Sequence, residues 1–354
     1  MADLLSTGIS GVRTYQRALA TVGNNIANVD TEGYSRQRVE IAQSASSSEG
    51  SLNIGNGARA VRVQRSYDNF VVENLRSSQS QLNKHQATLE YVTQLENILA
   101  DKQLSLSTSM DGFFAAVQEV SLSPSSVAAR QNMLNVAEST VAQFTSVGTQ
   151  LSLIEENSYS DLTGQVSSLN QLADQLASVN ASLNRVNSLD KQPNELLDRR
   201  DTLIQDMSKL LRVHVVEKNN GAVDIHIGDV ASGQYLVKDK TASTLGIDRS
   251  AANPDEAVLM LDPYMSPQKV TQVVGGSIAG ISEFRQNSLT ILRDELDTLT
   301  QVFVGEVNDT HALGIDAQGN FGGELFSLGN IYTVTPGLNK GTGFVTVSAV
   351  PNAK

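Results

Sequence analysis

His214, Asp224 and His226 are the nearest approach in this chain to a metal-ligand set, and the four histidines are its only imidazoles. Asn219-Asn220-Gly221 between two alternating runs predicts a hairpin that brings the three together, which would supply most of a zinc site. Both histidines alternate with Val and Ile positions, so they are expected on the wet face, and no fourth ligand is visible. His85 on a helix seam and His311 at a helix end are expected to be structural or surface residues. Asp316, Gln318 and Asn320 have the opening spacing of a calcium loop, but Phe321 stands where Gly is required and Ser327 where Glu is required. Gly55, Gly57 and Ala60 match a dinucleotide fingerprint in spacing, yet a strand follows where a helix N-terminus must bind the phosphates. The absence of Cys removes disulfides and thiolate chemistry together, and there is neither a Walker loop nor a Gly-x-Ser-x-Gly elbow. Asp294, Glu295 and Asp297 beside Arg293 fall at mixed helical phase, the pattern of a solvated face. No enzyme, no metal and no cofactor are expected.

The elements that would carry these residues are mostly helical. From Leu4 to Val29 the residues Gly8, Val12, Tyr15, Leu19, Val22, Ile26 and Val29 recur at spacings of four and three, with Leu5 and Ile9 widening the seam. One amphipathic helix is predicted, ending near Asn28 to Gly33. The Ser-, Gly- and Asn-rich stretch Ser44 to Gly57 offers it no docking face, so the seam is expected to await a partner. A short strand is predicted at Arg59 to Arg65. Val71, Leu75, Leu82, Leu89, Val92 and Leu99 share a helical seam, and Met110, Phe113, Phe114, Val117 and Val120 mark a second helix.

A heptad register then runs from Val127 through Leu134, Val141, Gly148, Glu155, Leu162, Leu169, Leu176 and Leu183, with Ser123 as candidate N-cap. It falters between Glu155 and Ser158 and again at Gln165, which suggests a rod with a hinge midway. After the break at Asp190 to Asn194 a returning helix carries Leu196, Leu197, Leu203, Ile204, Met207, Leu210 and Leu211. Strands follow at Arg212 to Glu217 and Ala222 to Ile227, and β structure continues to about Gly275. Helical period resumes with Ile278, Ile281, Leu289, Leu292, Leu296, Leu299, Phe303 and Val307, and a last strand is predicted at Phe344 to Val350.

The fold class is therefore mainly α with inserted β: long heptad helices forming an antiparallel rod, a β-rich insertion and an incomplete second β region. The domains read as 1–33 (terminal helix), 34–66 (polar loop and short strands), 67–211 with 276–312 (helical rod), 212–275 (β insertion) and 313–354 (partial β region). The chain of 354 residues is long enough for two or three folding units. Its net charge of −12 works against a nucleic-acid partner. The N-terminus lacks the basic and apolar regions of a cleaved signal peptide. No apolar run approaches the ~18–20 residues of a membrane span, and a soluble chain is expected.

Asn24-Asn25-Ile26-Ala27-Asn28, followed by Thr31, Gly33 and Tyr34, resembles the signature of bacterial flagellar rod, hook and hook-associated proteins. The continuation Tyr34-Ser35-Arg36-Gln37 is similar to the hook-associated protein 1 family of hook-filament junction proteins. Further resemblance lies in Phe113-Phe114 through Pro124 to Ala129-Arg130-Gln131, in Asn194 to Asp201, and in Glu283-Phe284-Arg285 through Val307-Asn308 and His311 to Gly314. The resemblance implies a structural subunit of the bacterial flagellum, needed for flagellum assembly and motility. It implies export through the flagellar type III apparatus, which accounts for the missing signal peptide, and an extracellular place at the hook-filament junction. The implied partners are copies of itself in a ring, the hook subunit, the second junction protein and a flagellar export chaperone that contacts C-terminal residues.

In that family the N-terminal helix pairs with a C-terminal helix to line the inner tube. No such helix follows Asn352, so the chain is expected to be a fragment or a natural truncation. Leu5, Ile9, Val12, Tyr15, Leu19, Val22 and Ile26 are expected to form the assembly seam, with Asn24, Asn25 and Asn28 fixing the helix exit. The competing expectation is a secreted coiled-coil effector or adhesin.

Overall fold

The computed structural model describes residues 4–49, 52–186, 188–189, 192–228, 233–249, 257–264, 266–270, 272–316, 319–328 and 347–349. Gln318 of the calcium-like spacing, Asp190 in the break, Phe344 at the start of the last predicted strand and Asn352 lie outside them. Helix α1 (Leu4–Ala27) leads into strands β1 (Gln37–Gln43), β2 (Ser47–Glu49), β3 (Leu52–Ile54) and β4 (Ala58–Arg65). Helices α2 (Asn69–Ala100), α3 (Leu106–Leu122), α4 (Val127–Leu183) and α5 (Asn194–Leu210) follow. Next come β5 (Val213–Glu217), β6 (Val223–Ile227), β7 (Tyr235–Lys238), β8 (Thr241–Ala242), β9 (Leu245–Arg249), β10 (Ala257–Leu261) and β11 (Gln268–Lys269). Helices α6 (Gly276–Phe284) and α7 (Thr290–Ala312) and strands β12 (Phe326–Leu328) and β13 (Val347–Ala349) complete the order.

The chain divides into two compact units. One holds Met1–Gln81, Ser167–Leu245 and Leu261–Gly276; the other holds Leu82–Val166, Gly246–Met260 and Ser277–Lys354. In the first, Leu169, Leu176 and Leu183 of α4 and Ile204, Met207 and Leu211 at the end of α5 and just beyond it are fully buried, as are Ile225 and Ile227 of β6. Antiparallel β5 and β6 pair His214 with His226, as the Asn-Gly turn predicts, and Gly221 takes φ +82° there. Asn180 of α4 closes on the sheet where β6 begins and β7 has just ended: its amide donates to the Val223 and Asp239 carbonyls, each at 2.7 Å, and its oxygen accepts from the Val223 N–H. A buried side chain with every group satisfied fixes one register between helix and strand.

In the second unit, Phe113 and Phe114 of α3, Phe144 of α4, Phe303 of α7 and Phe326 of β12 form an aromatic cluster with centroids 5.4 to 6.1 Å apart. Tyr91 of α2 stacks on Phe284 at 5.1 Å. Backbones approach closely at Gly280, where a Cβ would lie 2.2 Å from the Lys84 carbonyl oxygen. Thr88 donates to the Gly280 carbonyl at 3.1 Å in the same contact.

Several expectations are corrected. Helix α4 begins after Ser126, whose hydroxyl accepts from the Ala129 N–H at 3.2 Å; Ser123 instead ends α3, because Ser123 to Ser126 form a turn. No hinge interrupts α4, which runs unbroken for 57 residues, about 85 Å at ~1.5 Å per residue. Glu155 and Ser158 are buried in its seam because the π-helical segment Arg285–Leu289 and α7 supply partners: Arg285 donates to the Glu155 carbonyl (2.8 Å) and to the Ser158 hydroxyl (2.7 Å), and Arg293 of α7 pairs with the Glu155 carboxylate. Arg293 is thereby buried, not part of a solvated face.

Five of the six residues of the α2 seam lie on an exposed face. Val71, Leu75, Leu82, Leu89 and Leu99 are exposed, while Tyr91 and Leu95 are buried, because the close approach at Gly280 demands small residues such as Ala87 and Thr88 on the packed face. His226 is buried against Tyr235, centroids 4.2 Å apart, and not on a wet face, because β7 pairs beside β6. Burial pushes its pKa below the ordinary value, with His214 and Lys238 adding to the effect against Asp224.

Candidate functional site

Helix α1 presents two faces of opposite character. The face that docks carries Ser10, Gly11, Thr14, Ala18, Thr21 and Asn25, all small or polar. It rests on the antiparallel pair β1 and β4, the strands that flank Ser44 to Gly57, which mount the polar face and leave the apolar seam uncovered. The reason lies in Gln37 to Gln43, an alternating run that pairs with Ala58 to Arg65 and leaves the Ser- and Gly-rich residues to the hairpin between them. Thr14 is buried and donates to its own helix at Ser10 (2.8 Å) and to the Ala58 carbonyl (3.1 Å). The Ser10 hydroxyl accepts from the Ala58 N–H at 3.3 Å. At Gly57, with φ +83°, a Cβ would fall 2.1 Å from that hydroxyl, so only Gly allows the strand this near the helix.

The exit of α1 is fixed by its asparagines. Asn25 pairs with Gln37 as a strand would, its amide donating to the carbonyl at 2.8 Å and its oxygen accepting from the N–H at 2.9 Å. The Tyr34 hydroxyl donates to the same oxygen at 2.9 Å, and burial, helped by nearby Asp198, raises the phenol above its ordinary pKa. Asn28 reaches back to the Asn24 carbonyl and side chain at 2.9 and 3.0 Å. The turn then needs Gly33, at φ +79° and packed against Thr202.

The seam residues Leu5, Ile9, Val12, Tyr15, Leu19, Val22 and Ile26 all lie on the other face and are all exposed, from 42% at Ile9 to 72% at Leu19. Leu5, Val12, Leu19 and Ile26 recur every seventh residue, the spacing of a coiled-coil seam. Full burial of side chains of this kind stabilises by about 1.5–3 kcal/mol each. The helix is thus clamped by its polar face and bare along its apolar one.

Below this mount sits a charged anchor that the sequence reading missed. Arg65 of β4 contacts Asp198 at 2.9 Å and pairs with Asp201; Arg200 bonds Asp201 and Glu217, each at 2.8 Å, and the Gly221 carbonyl. All three α5 residues belong to the Asn194 to Asp201 run. The signal was a turn of helix with Asp198, Arg200 and Asp201 between Leu197 and Leu203, charge placed where the apolar face should continue.

Among the described residues no group of three or more His, Asp or Glu could hold a metal, and no helix is long and apolar enough to cross a membrane. His85 is exposed, His311 bonds the Gly323 carbonyl at 2.6 Å, and Asp316 closes a turn on the Asn320 N–H at 2.8 Å.

Residues 92–326 match the family model of the helical domain of flagellar hook-associated protein FlgK, and residues 5–34 match that of the flagella basal body rod protein. The chain is 33% identical to flagellar hook-associated protein 1 of Salmonella typhimurium over 337 residues, 93% of this chain and 60% of that protein. It is 31% identical to the protein of that name from Escherichia coli K12, over 96% of this chain and 63% of that one. The chain thus spans about 60% of the length of these curated relatives. It also superposes on the flagellar hook junction protein FlgK from Burkholderia pseudomallei with TM-score 0.66 at 27% identity, covering 73% of this chain and 47% of that one.

Proposed function

Because the chain belongs to the flagellar hook-associated protein 1 (FlgK) family, we propose that it is a structural subunit of the bacterial flagellum at the junction of hook and filament. Copies of the chain assemble as a ring on the distal end of the hook, contacting the hook subunit below and the second junction protein above. Residues 1–33 are the assembly segment and 34–66 its mount; 67–211 with 276–312 form the helical domain, and 212–275 and 313–354 the β regions. The chain reaches the cell exterior through the flagellar type III apparatus, with a flagellar export chaperone.

One observation carries this reading: a seven-member apolar seam on α1 is exposed while the opposite face of the same helix is bound by hydrogen bonds. Leu5, Ile9, Val12, Tyr15, Leu19, Val22 and Ile26 meet neighbouring subunits, and Asn24, Asn25 and Asn28 hold the angle at which they do so. The test is Leu19→Asp in the native organism. A charge in a desolvated contact is costly, so the variant should abolish filament formation and swimming while the purified chain keeps its melting temperature. Swimming at the wild-type rate would refute the assignment. Immunogold label confined to the hook-filament junction of purified flagella is the companion result.

A further inference from the structure

A cavity of ≈ 170 Å³ lies in the first unit, bordered by the start of α2, by α5 and by β5. Its walls include Arg76, Arg200, Arg212, Ser80, Tyr67 and Glu73. The volume is below the ~300 Å³ at which pockets for drug-sized ligands begin, yet several times the ~30 Å³ share of one water. It suits a single small polar group.

Hydrogen-bond valence decides which kind. Arg200 is engaged through four hydrogen bonds by Asp201, Glu217 and the Gly221 carbonyl, and Asp201 already receives Arg65, Arg76 and Arg200. Arg76 is different. It makes only two contacts, both from Nη2 and both 3.4 Å long, to Tyr67 and Asp201, and its buried Nε has no partner. Arg212 has no acid and no side-chain hydrogen-bond partner among the described residues. Ser80, only 1% exposed, has a buried hydroxyl without a partner. A guanidinium presents five N–H donors, so two arginines and a hydroxyl leave a surplus of donors around a space in which the carboxylates Asp201 and Glu217 are already occupied. Glu73 is exposed and is the one bordering carboxylate without an arginine partner.

We propose that this cavity binds one small oxyanion, of phosphate or carboxylate size, held by Arg76 and Arg212. The site is independent of the assembly seam. Guanidinium groups bind oxyanions through charge-assisted, often bidentate bonds, and such a ligand supplies acceptors without adding a donor. Glu73 opposes it by like charge and sets the affinity below its maximum.

The test uses the full chain, titrated with inorganic phosphate and separately with acetate, by calorimetry, against sodium chloride at matched ionic strength. Saturable binding of either ion beyond chloride is expected, and the ion preferred tells a tetrahedral ligand from a planar one. Arg212→Gln, which breaks no internal bond, should weaken binding at least about tenfold, the loss expected for a hydrogen bond to a charged group. Glu73→Gln should tighten it, and melting temperatures of both variants should match the parent. Absence of saturable binding beyond chloride, or binding unchanged in Arg212→Gln, overturns the proposal and leaves the cavity to water.

Discussion

Helices α1 and α4 carry the same heptad spacing and meet opposite fates. In α4, Leu162, Leu169, Leu176 and Leu183 are 0% exposed; in α1, Leu5, Val12, Leu19 and Ile26 stand in water. The difference is not in the stripe but in what faces it. Partners for α4 come from the same chain, including β6 and the Arg285 segment, whereas the only partner the described chain offers α1 binds its polar side. The lesson is that an apolar seam identifies a surface to be covered without saying by which molecule.

The contrast can be broken most sharply at Glu155, the charged member of the α4 seam. Removing its charge takes a buried carboxylate partner from both Arg285 and Arg293, and Glu155→Gln should cost about 3–5 kcal/mol, read from denaturant unfolding. An equal stability for that variant would mean that the break in the heptad is a solvated surface after all. Next in size, Leu176→Ala should cost about 2–5 kcal/mol, while Leu19→Ala in the isolated chain should stay within about 0.5 kcal/mol. Similar losses at the two leucines would erase the distinction between the seams.

The smallest effect expected is one of pH, in the sheet against which α4 packs. Burial depresses the pKa of His226, so its protonation is easier in the unfolded chain. Stability from this group is fully present above the ordinary value of 6.5 and declines as the pH falls through and below it. His226→Phe should flatten the melting temperature over that range, and an unchanged slope would show that another group titrates.

Much of the fold was legible in the residues. Helix positions followed from periodicity, the β5–β6 hairpin from Asn-Gly, and the α1 exit from Asn28 to Gly33. The α1 seam was legible too, because nothing nearby in sequence could cover it. The misreadings share a cause. For α2 the spacing identified the apolar row but not which face packs, and the backbone contact at Gly280 selects the face with Ala87 and Thr88. Arg293 and His226 were placed in water because their burial depends on pairings that spacing along one element does not reveal, with Glu155 far away in the sequence and with Tyr235 on the neighbouring strand. Ser123 lost the cap to Ser126 through the turn between them, a local choice that two serines of equal propensity leave open.

By itself the sequence determined which residues would share a helical face and that the first helix would carry an apolar one, since both follow from spacing and side-chain type along a single element. The tertiary structure alone decided which of those faces are sealed, that α1 is held by its asparagine and threonine side, and that charged residues stand inside both units. Burial is a property of pairs of elements, and the free energy of covering a face is set by whatever stands opposite it.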